Sequence, residues 1–342
     1  MKRIFLYDLE RAFLIFLLLS NLKKDRIFII GDYDNFIKKT SINILKNYTN
    51  ITMIVLDSKK LRKNLISRIL YIKFVRKKLS YLIKEIESKR AFLYGVTEFI
   101  LAKEIFFKEN FVEIEDGMAN YTFKKLEKLK RNFFKEYIVR LIRSFFRVKV
   151  RKGRLGYAEN TIKVYLTENL CKEIPNGLEE KAEIINLKEL WNKKSEEEKR
   201  IILNIFNFNE EILKKVNENT IVLFTQPLSE DKRISEEEKI DLYSKILKKY
   251  ENESIIIKPH PREKTDYSKY FPSYYVMKEK YPVEILELVG INIKKAVTIF
   301  SSAVFGLGKD IAIDFYGTEI HSKLFEIFGT QDKVMKRNAF LD

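Results

Sequence analysis

The sequence has little of the chemistry that staples or metallates small domains. One cysteine, Cys171, excludes a disulfide framework and a thiolate zinc site. Two histidines, His260 and His321, exclude a multi-histidine metal centre. Six prolines and eleven glycines in 342 residues exclude a fibrous or low-complexity chain. Long apolar runs are scarce as well. Residues 12–19 (AFLIFLLL) give eight apolar positions in a row, against the roughly 20 that a membrane span needs. Asp8, Glu10 and Arg11 precede that run, and Asn21-Leu22-Lys23-Lys24-Asp25 follows it where a signal peptide would carry small residues. The basic start Met1-Lys2-Arg3 therefore does not open a targeting signal. A buried helix over 9–22 between strands over 4–7 and 26–30 makes a βαβ unit of a cytoplasmic protein.

What the chain does have is apolar mass and positive charge. A hydrophobic fraction of 46% excludes wholesale disorder, and 342 residues fit two domains. Sixty-five Lys and Arg against 48 Asp and Glu leave a net +17, which points to a polyanionic partner: nucleic acid, an anionic membrane face or a phosphorylated substrate. The excess is local. Residues 59–90 hold 12 basic and 2 acidic residues, and residues 121–154 hold 13 and 2. Both segments carry apolar residues at helical spacing, in the second Leu126, Leu129, Phe133, Phe134, Ile138, Leu141, Ile142, Phe145 and Phe146. A basic amphipathic helix suits an anionic membrane surface. The plainer reading is a core-facing helix with a solvated Lys/Arg face.

Short β-branched or aromatic runs alternate with helical stretches. Strands are expected over 51–56, 91–94 and 111–114, and a second cycle over 220–224, 254–257, 296–300 and 311–315, with helices over 235–250 and 283–289. Such alternation favours parallel sheets covered on both faces. The expected fold class is α/β: two Rossmann-like domains facing a cleft. Their expected spans are an N-terminal domain over 1–172, a Glu/Lys-rich helical connection over 173–219 and a C-terminal domain over 220–342. No repeat of 20–50 residues is present.

Chemistry concentrates where strands end. Ile255-Ile-Ile-Lys258-Pro259-His260-Pro261-Arg262 stiffens one imidazole between two prolines just past a strand, where doubly wound sheets bind ligands. A histidine there can donate to a phosphate or act as a general acid, or it can be a turn residue without a role. Ser301-Ser302, also past a strand, offers two hydroxyls and backbone N–H groups at a helix start, or an ordinary N-cap pair. Glu284, in Tyr281-Pro-Val-Glu284, can hold ribose hydroxyls or complement a helix dipole. Glu115-Asp116-Gly117 ends a strand in the first half and can supply a general base, or form an acidic turn. Asp32-Tyr33-Asp34 can be a metal-binding Asp-x-Asp or the loop before a helix over 36–48; Cys171, Trp191 and His321 carry no functional signal.

Taken together, Glu115-Asp116-Gly117, Lys258-Pro259-His260-Pro261 and Ser301-Ser302 resemble the motif set of bacterial sialyltransferases. With Thr225-Gln226-Pro227 and Pro282-Val283-Glu284, the chain over about 90–320 most resembles the lipooligosaccharide sialyltransferase family, glycosyltransferase family 52. The resemblance implies a GT-B type, metal-independent, inverting transferase with no cofactor beyond its donor, CMP-sialic acid. The first domain would serve a glycan or glycolipid acceptor of lipooligosaccharide or capsule, and the second the donor. His260 would contact the departing phosphate, Ser301 and Ser302 bind it, Lys258 and Pro261 belong to the same motif, and Glu284 hold the ribose. Asp116, flanked by Glu115 and Gly117, would deprotonate the acceptor, with Asp231 as its substitute. Tyr7-Asp8-Leu9-Glu10 departs from the Thr-Pro turn usual in the family's first loop. The implied partners include an anionic membrane, touched peripherally at its inner face, and a second copy in a homodimer. Nucleic acid is not among them, because no recognised binding module interleaves the aromatics. The rival reading is a CDP-glycerol-type phosphotransferase of teichoic acid synthesis, which shares the His-Pro and Ser-Ser halves.

Overall fold

A computed structural model of the chain describes residues 1–32, 48–61, 64–117, 141–146, 149–217, 219–279 and 281–330. They fall into two compact units, Met1–Asn207 and Phe208–Asp342. The helix expected over 36–48, most of Asp32-Tyr33-Asp34, and the apolar positions from Leu126 to Ile138 lie outside the described residues.

The first unit is built on seven parallel strands: β1 (Lys2–Leu6), β2 (Arg26–Asp32), β3 (Ile51–Leu56), β4 (Ala91–Gly95), β5 (Phe111–Ile114), β6 (Thr161–Thr167) and β7 (Ala182–Ile185), in the order β3-β2-β1-β4-β5-β6-β7. The apolar run near the N-terminus forms α1 (Glu10–Leu19), whose residues Ala12 to Leu18 are all buried. At 1.5 Å per residue it is about 15 Å long, and no helix among the described residues is long and apolar enough to cross a membrane. It lies on one face of the sheet, where Phe5 stacks on Phe13 and Phe16 at 5.3 and 4.7 Å between centroids, and Phe16 meets Tyr94 at 5.3 Å. On the other face, α2 (Leu65–Lys78) and α3 (Ser80–Glu87) bury Ile72, Val75, Leu82 and Ile86 against Ile4, Leu6, Phe28 and Leu93.

The tract over 173–219 is not a purely helical connection. Its strand β7 extends the first sheet beside β6, and α4 (Leu187–Asn192) and α5 (Glu196–Ile205) pack back on α1, with Phe206 against Phe13 at 5.9 Å. The α5 capping box, Ser195 with Glu198, is shared with the core, because Glu198 also accepts the Leu22 N–H at 3.0 Å. Residues up to Asn207 thus group with the first compact unit.

The second unit has five parallel strands: β8 (Thr220–Phe224), β9 (Ile255–Lys258), β10 (Tyr275–Val276), β11 (Ile293–Thr298) and β12 (Ala312–Phe315), ordered β10-β9-β8-β11-β12. Helix α6 (Glu236–Lys248) starts at a second capping box, Ser235 with Glu238, and buries Leu242, Tyr243, Ile246 and Leu247 on the sheet with Leu324 of α8 (Ser322–Phe328). Between them in sequence lies the short α7 (Glu284–Leu288). Every pairing is parallel in both units, so the strand ends that carry loops lie together at one edge of each sheet.

Phe16, fully buried among aromatic partners, tests the reading of the apolar run as core. Phe16→Ala is expected to cost about 3–5 kcal/mol, measured as a fall in the denaturant midpoint with an unchanged slope. A loss below about 1 kcal/mol, the range of surface substitutions, would contradict it.

Candidate active site

In the second unit three strands end level. Lys258 is opposite Phe224, and Phe224 is opposite Thr298. At about 4.8 Å per strand, the residues that follow emerge within roughly 10 Å of one another. They are Thr225-Gln226-Pro227, Pro259-His260-Pro261 and Phe300-Ser301-Ser302. Gln226, His260, Ser301, Ser302, Asp231 and Arg262 line a pocket of about 340 Å³ there.

His260 is held in a defined protonation state. Its Nδ1 accepts the Arg262 N–H at 3.1 Å, so in the neutral ring the proton sits on Nε2. Burial, and after it the Arg262 charge, lowers its pKa, which keeps the ring neutral at pH 7. A neutral ring of this tautomer donates from Nε2. Asp231 is tied to Arg262 at 2.7 Å on the same wall.

Beneath His260 lies a buried carboxylate that the motif reading missed. Glu263 accepts from the His260 N–H at 2.6 Å, the Thr225 hydroxyl at 2.5 Å and the Tyr267 hydroxyl at 2.6 Å. It therefore ties the loop after β9 to the end of β8. Burial raises its pKa despite these bonds. Lys239, with no exposed surface, stands 3.8 Å from Glu263 and pairs with Glu230 at 3.0 Å and Glu236 at 3.2 Å. A signal was there to be read: Lys239 occupies the apolar stripe of α6 that continues through Leu242, Tyr243 and Ile246, and a buried lysine requires carboxylate partners.

Ser301 and Ser302 reach the pocket at the start of a short helix. Ser302–Gly306 is a short 3-10 turn, with Ser301 as its cap, accepting from the Ala303 N–H at 3.4 Å. The neighbouring N–H groups are also used internally: Phe300 donates to Gln226 Oε1 and Ser301 to Thr298 Oγ1, each at 3.0 Å. The Phe300 and Ser301 amides are thus engaged within the protein, while Ser301 and Ser302 line the pocket. Lys258, Pro261 and Glu284 are not among the pocket walls. The Lys258 ammonium donates to the Tyr281 carbonyl at 2.9 Å and lies over that ring, which anchors the segment leading to α7. Glu284 opens α7 and is buried, and Pro261 is exposed.

The first unit has an equivalent edge. Gly95 is opposite Glu113, and Ile114 opposite Tyr165, so the residues after β1, β4, β5 and β6 meet there. Gly95 permits close approach: a Cβ there would stand 3.1 Å from both the Cβ and carbonyl oxygen of Leu6. Glu115 is fully buried and faces its own unit rather than a ligand: Arg11 pairs with it at 2.6 Å, and the Thr167 N–H donates to it at 2.8 Å. Glu113, also fully buried, accepts the Thr97 N–H at 3.0 Å, and burial lifts its pKa to about 8. Gly117, at φ 58°, turns the chain through a left-handed conformation. Between these fixed neighbours Asp116 stays half-buried. Burial, and next the charge of Asp8, raises its pKa to about 6. A carboxyl titrating there is a stronger base than an ordinary aspartate and is still ionised at pH 7.

Two parallel sheets with a nucleotide-sized pocket at one carboxyl edge and a basic carboxylate at the other belong to the GT-B class of glycosyltransferases. The sialyltransferase of Photobacterium damselae, over its GT-B domain, shares the fold at a TM-score of 0.59, with 15% identity, covering 97% of this chain and 98% of that one. A 2,6-sialyltransferase of Photobacterium sp. JT-ISH-224, solved with donor product CMP and acceptor substrate lactose, gives 0.57 at 16% identity, over 97% of this chain and 77% of that one. An uncharacterized protein of Haemophilus influenzae is 36% identical over 264 residues, 76% of this chain and 80% of its own length. The family model of glycosyltransferase family 52 matches residues 24–324. The chain belongs to that family, as its motifs implied, and is a glycosyltransferase.

The raised pKa of Asp116 has a consequence for stability. The folded state holds this proton more tightly than the unfolded chain does, so the residue lowers stability as pH rises from about 4 to about 6. Asp116→Asn is therefore expected to stabilise the fold by about 1–3 kcal/mol at pH 7.5, with the gain vanishing toward pH 4. Thermal unfolding across that range measures it; an equal effect at both pH values would refute the raised pKa.

Proposed function

We propose that this glycosyltransferase moves a sialic acid from CMP-sialic acid to a terminal galactose-type hydroxyl of a cell-surface glycan, with inversion and without a metal ion. The observation that carries the reading is the arrangement of His260, Ser301 and Ser302 around one pocket at the carboxyl edge of the second sheet. Membership of family 52 and the fold shared with sialyltransferases, one of them bound to CMP and lactose, support it.

In this reading the bond from the anomeric carbon to the CMP phosphate breaks with its electron pair passing to phosphate oxygen. The sugar becomes oxocarbenium-like while charge grows on the phosphate. Donors already aimed at that oxygen, His260 Nε2–H and the Ser301 and Ser302 hydroxyls, stabilise it without reorganising. They would perform the charge neutralisation that a divalent cation performs in other glycosyltransferases. Lys258 and Glu284 shape the donor side from behind the pocket, with ribose contact assigned to Glu284. The acceptor hydroxyl attacks the anomeric carbon from the opposite face and gives its proton to Asp116, whose Glu115 and Gly117 neighbours fix its position. Asp231 is the second candidate base, favoured by its place beside His260 and held back by its bond to Arg262. A glycolipid acceptor would bring the enzyme peripherally to an anionic membrane face; a homodimer is part of the same reading.

The decisive assay is CMP release and product formation from CMP-sialic acid and lactose, with a chelator present. Asp116→Asn should lower kcat by roughly 10²–10⁴-fold and His260→Ala by a factor on the order of 10²–10³. The wild-type kcat/KM should decline below about pH 6, because a protonated Asp116 cannot accept the acceptor's proton. Full activity of Asp116→Asn with loss in Asp231→Asn would move the base. Turnover of CDP-glycerol in place of CMP-sialic acid would overturn the donor.

A further inference from the structure

Three basic side chains line the pocket at the carboxyl edge of the second sheet: His260, Arg262 and Arg233. Two of them are accounted for. Burial and the Arg262 charge keep His260 neutral at pH 7, and Arg262 is paired with Asp231 at 2.7 Å. Arg233 is exposed and has no ion pair among the described residues. Its guanidinium stands over the Phe328 ring, 5.4 Å from the centre, and Phe328 in turn meets Phe300 at 5.2 Å. An aromatic face holds a guanidinium in place without neutralising it or occupying its N–H donors.

A closed turn after β8 delivers Arg233 to this wall. The N–H groups of Asp231, Lys232 and Arg233 donate to the carbonyls of Pro227, Ser229 and Leu228 at 2.9, 2.9 and 2.8 Å. Lys232 has φ 56°, a left-handed conformation uncommon for a residue with a Cβ. Asp231 and Arg233, on either side of it, both reach the pocket. Backbone strain of this kind persists only where the surrounding structure holds it, and it collects at ligand sites.

We propose that Arg233 binds the carboxylate of the donor sugar, a role that rests on CMP-sialic acid being the donor, and so selects acidic sugars over neutral ones. That donor carries two anions on one carbon. The phosphate is joined through oxygen to the anomeric carbon, and the carboxylate is attached to the same carbon. Their partners must therefore stand side by side in one pocket. With His260, Ser301 and Ser302 turned to the phosphate, the unneutralised arginine is the partner for the carboxylate. A guanidinium meets a carboxylate with two parallel N–H donors. A neutral sugar would leave that charge covered and unpaired. The carboxylate is ionised before and after the bond to phosphate breaks, so Arg233 holds the ground state and the transition state about equally. Such a contact lowers KM and leaves kcat nearly unchanged.

The test is steady-state kinetics with CMP-sialic acid and lactose, beside calorimetric binding of CMP, which has the phosphate and lacks the carboxylate. Arg233→Gln is expected to raise KM for the donor roughly tenfold or more, with kcat within about threefold of wild type and the Kd of CMP within about twofold. Arg233→Lys should recover part of the loss, because it keeps the charge without the fork. The methyl ester of CMP-sialic acid removes the same charge without altering the protein. As a competing ligand it should bind wild type about tenfold more weakly than CMP-sialic acid does, whereas Arg233→Gln should bind the two alike. An unchanged KM in the folded variant, or an ester bound by wild type as tightly as the acid, would overturn the proposal. A loss of CMP affinity matching the rise in KM would also overturn it, giving Arg233 to the phosphate. Failure of wild type to turn over CMP-sialic acid would overturn the donor itself, and the role of Arg233 with it.

Discussion

The geometry of the pocket at the carboxyl edge of the second sheet depends on one buried carboxylate. Glu263 receives the His260 amide, the Thr225 hydroxyl and the Tyr267 hydroxyl, with Lys239 close behind. These bonds join the ends of two adjacent strands and fix where the imidazole stands. A carboxylate buried there would be strongly disfavoured without partners. The requirement runs in both directions: the partners cannot leave, so the loop cannot relax. His260 is thereby presented with its Nδ1 occupied and its Nε2 available. Pre-organisation of this kind lets a hydrogen-bond donor act on developing charge without first paying for its own ordering.

The same arrangement recurs in the first unit with different residues. Glu115 is consumed by Arg11 and Thr167, and Glu113 by Thr97. The residue between the anchored acid and the left-handed Gly117 is the one left half-solvated. In each unit a short acidic or basic motif therefore divides its labour. One carboxylate fixes the backbone, and a nearby titratable side chain, His260 in one unit and Asp116 in the other, stands at the strand end. Burial, and next the charge of Asp8, also hold the Asp116 proton well above the usual aspartate range.

Much of this was legible in the residues, and the exceptions have physical reasons. Strands β3, β5 and β8 match their expected runs residue for residue, and β8, buried at every position between two neighbouring strands, has the near-continuous apolar run that a central parallel strand requires. Strand β6 was missed because Lys163 interrupts its pattern, and β7 because an acidic tract hides four residues that pair on one side only. The motif residues Asp116, His260, Ser301 and Ser302 stand at strand ends as expected. Glu115, Lys258 and Glu284 are read as ligand-binding residues; the first two are also bonded within the protein, and Glu284 is buried and not among the pocket walls. Residue type and position in a motif do not distinguish a side chain that touches substrate from one that holds its neighbour. That distinction depends on partners distant in sequence, such as Arg11 for Glu115 and Tyr281 for Lys258.

The basic segments show why charge and chemistry separate in this molecule. The reaction proposed for this pocket needs a few donors in fixed places, and Arg262 there is balanced by Asp231. Adding lysines to such a pocket would strengthen ground-state binding as much as the departing phosphate, which does not raise kcat. The large positive excess lies instead over residues 59–90 and 121–154, outside the motifs of the second unit. On α2 the inward arginines are matched by acids, while the outward lysines sit among exposed Ile66, Leu70 and Phe74. A solvated charged face made only for solubility has no use for that apolar stripe, whose exposure brings a risk of aggregation.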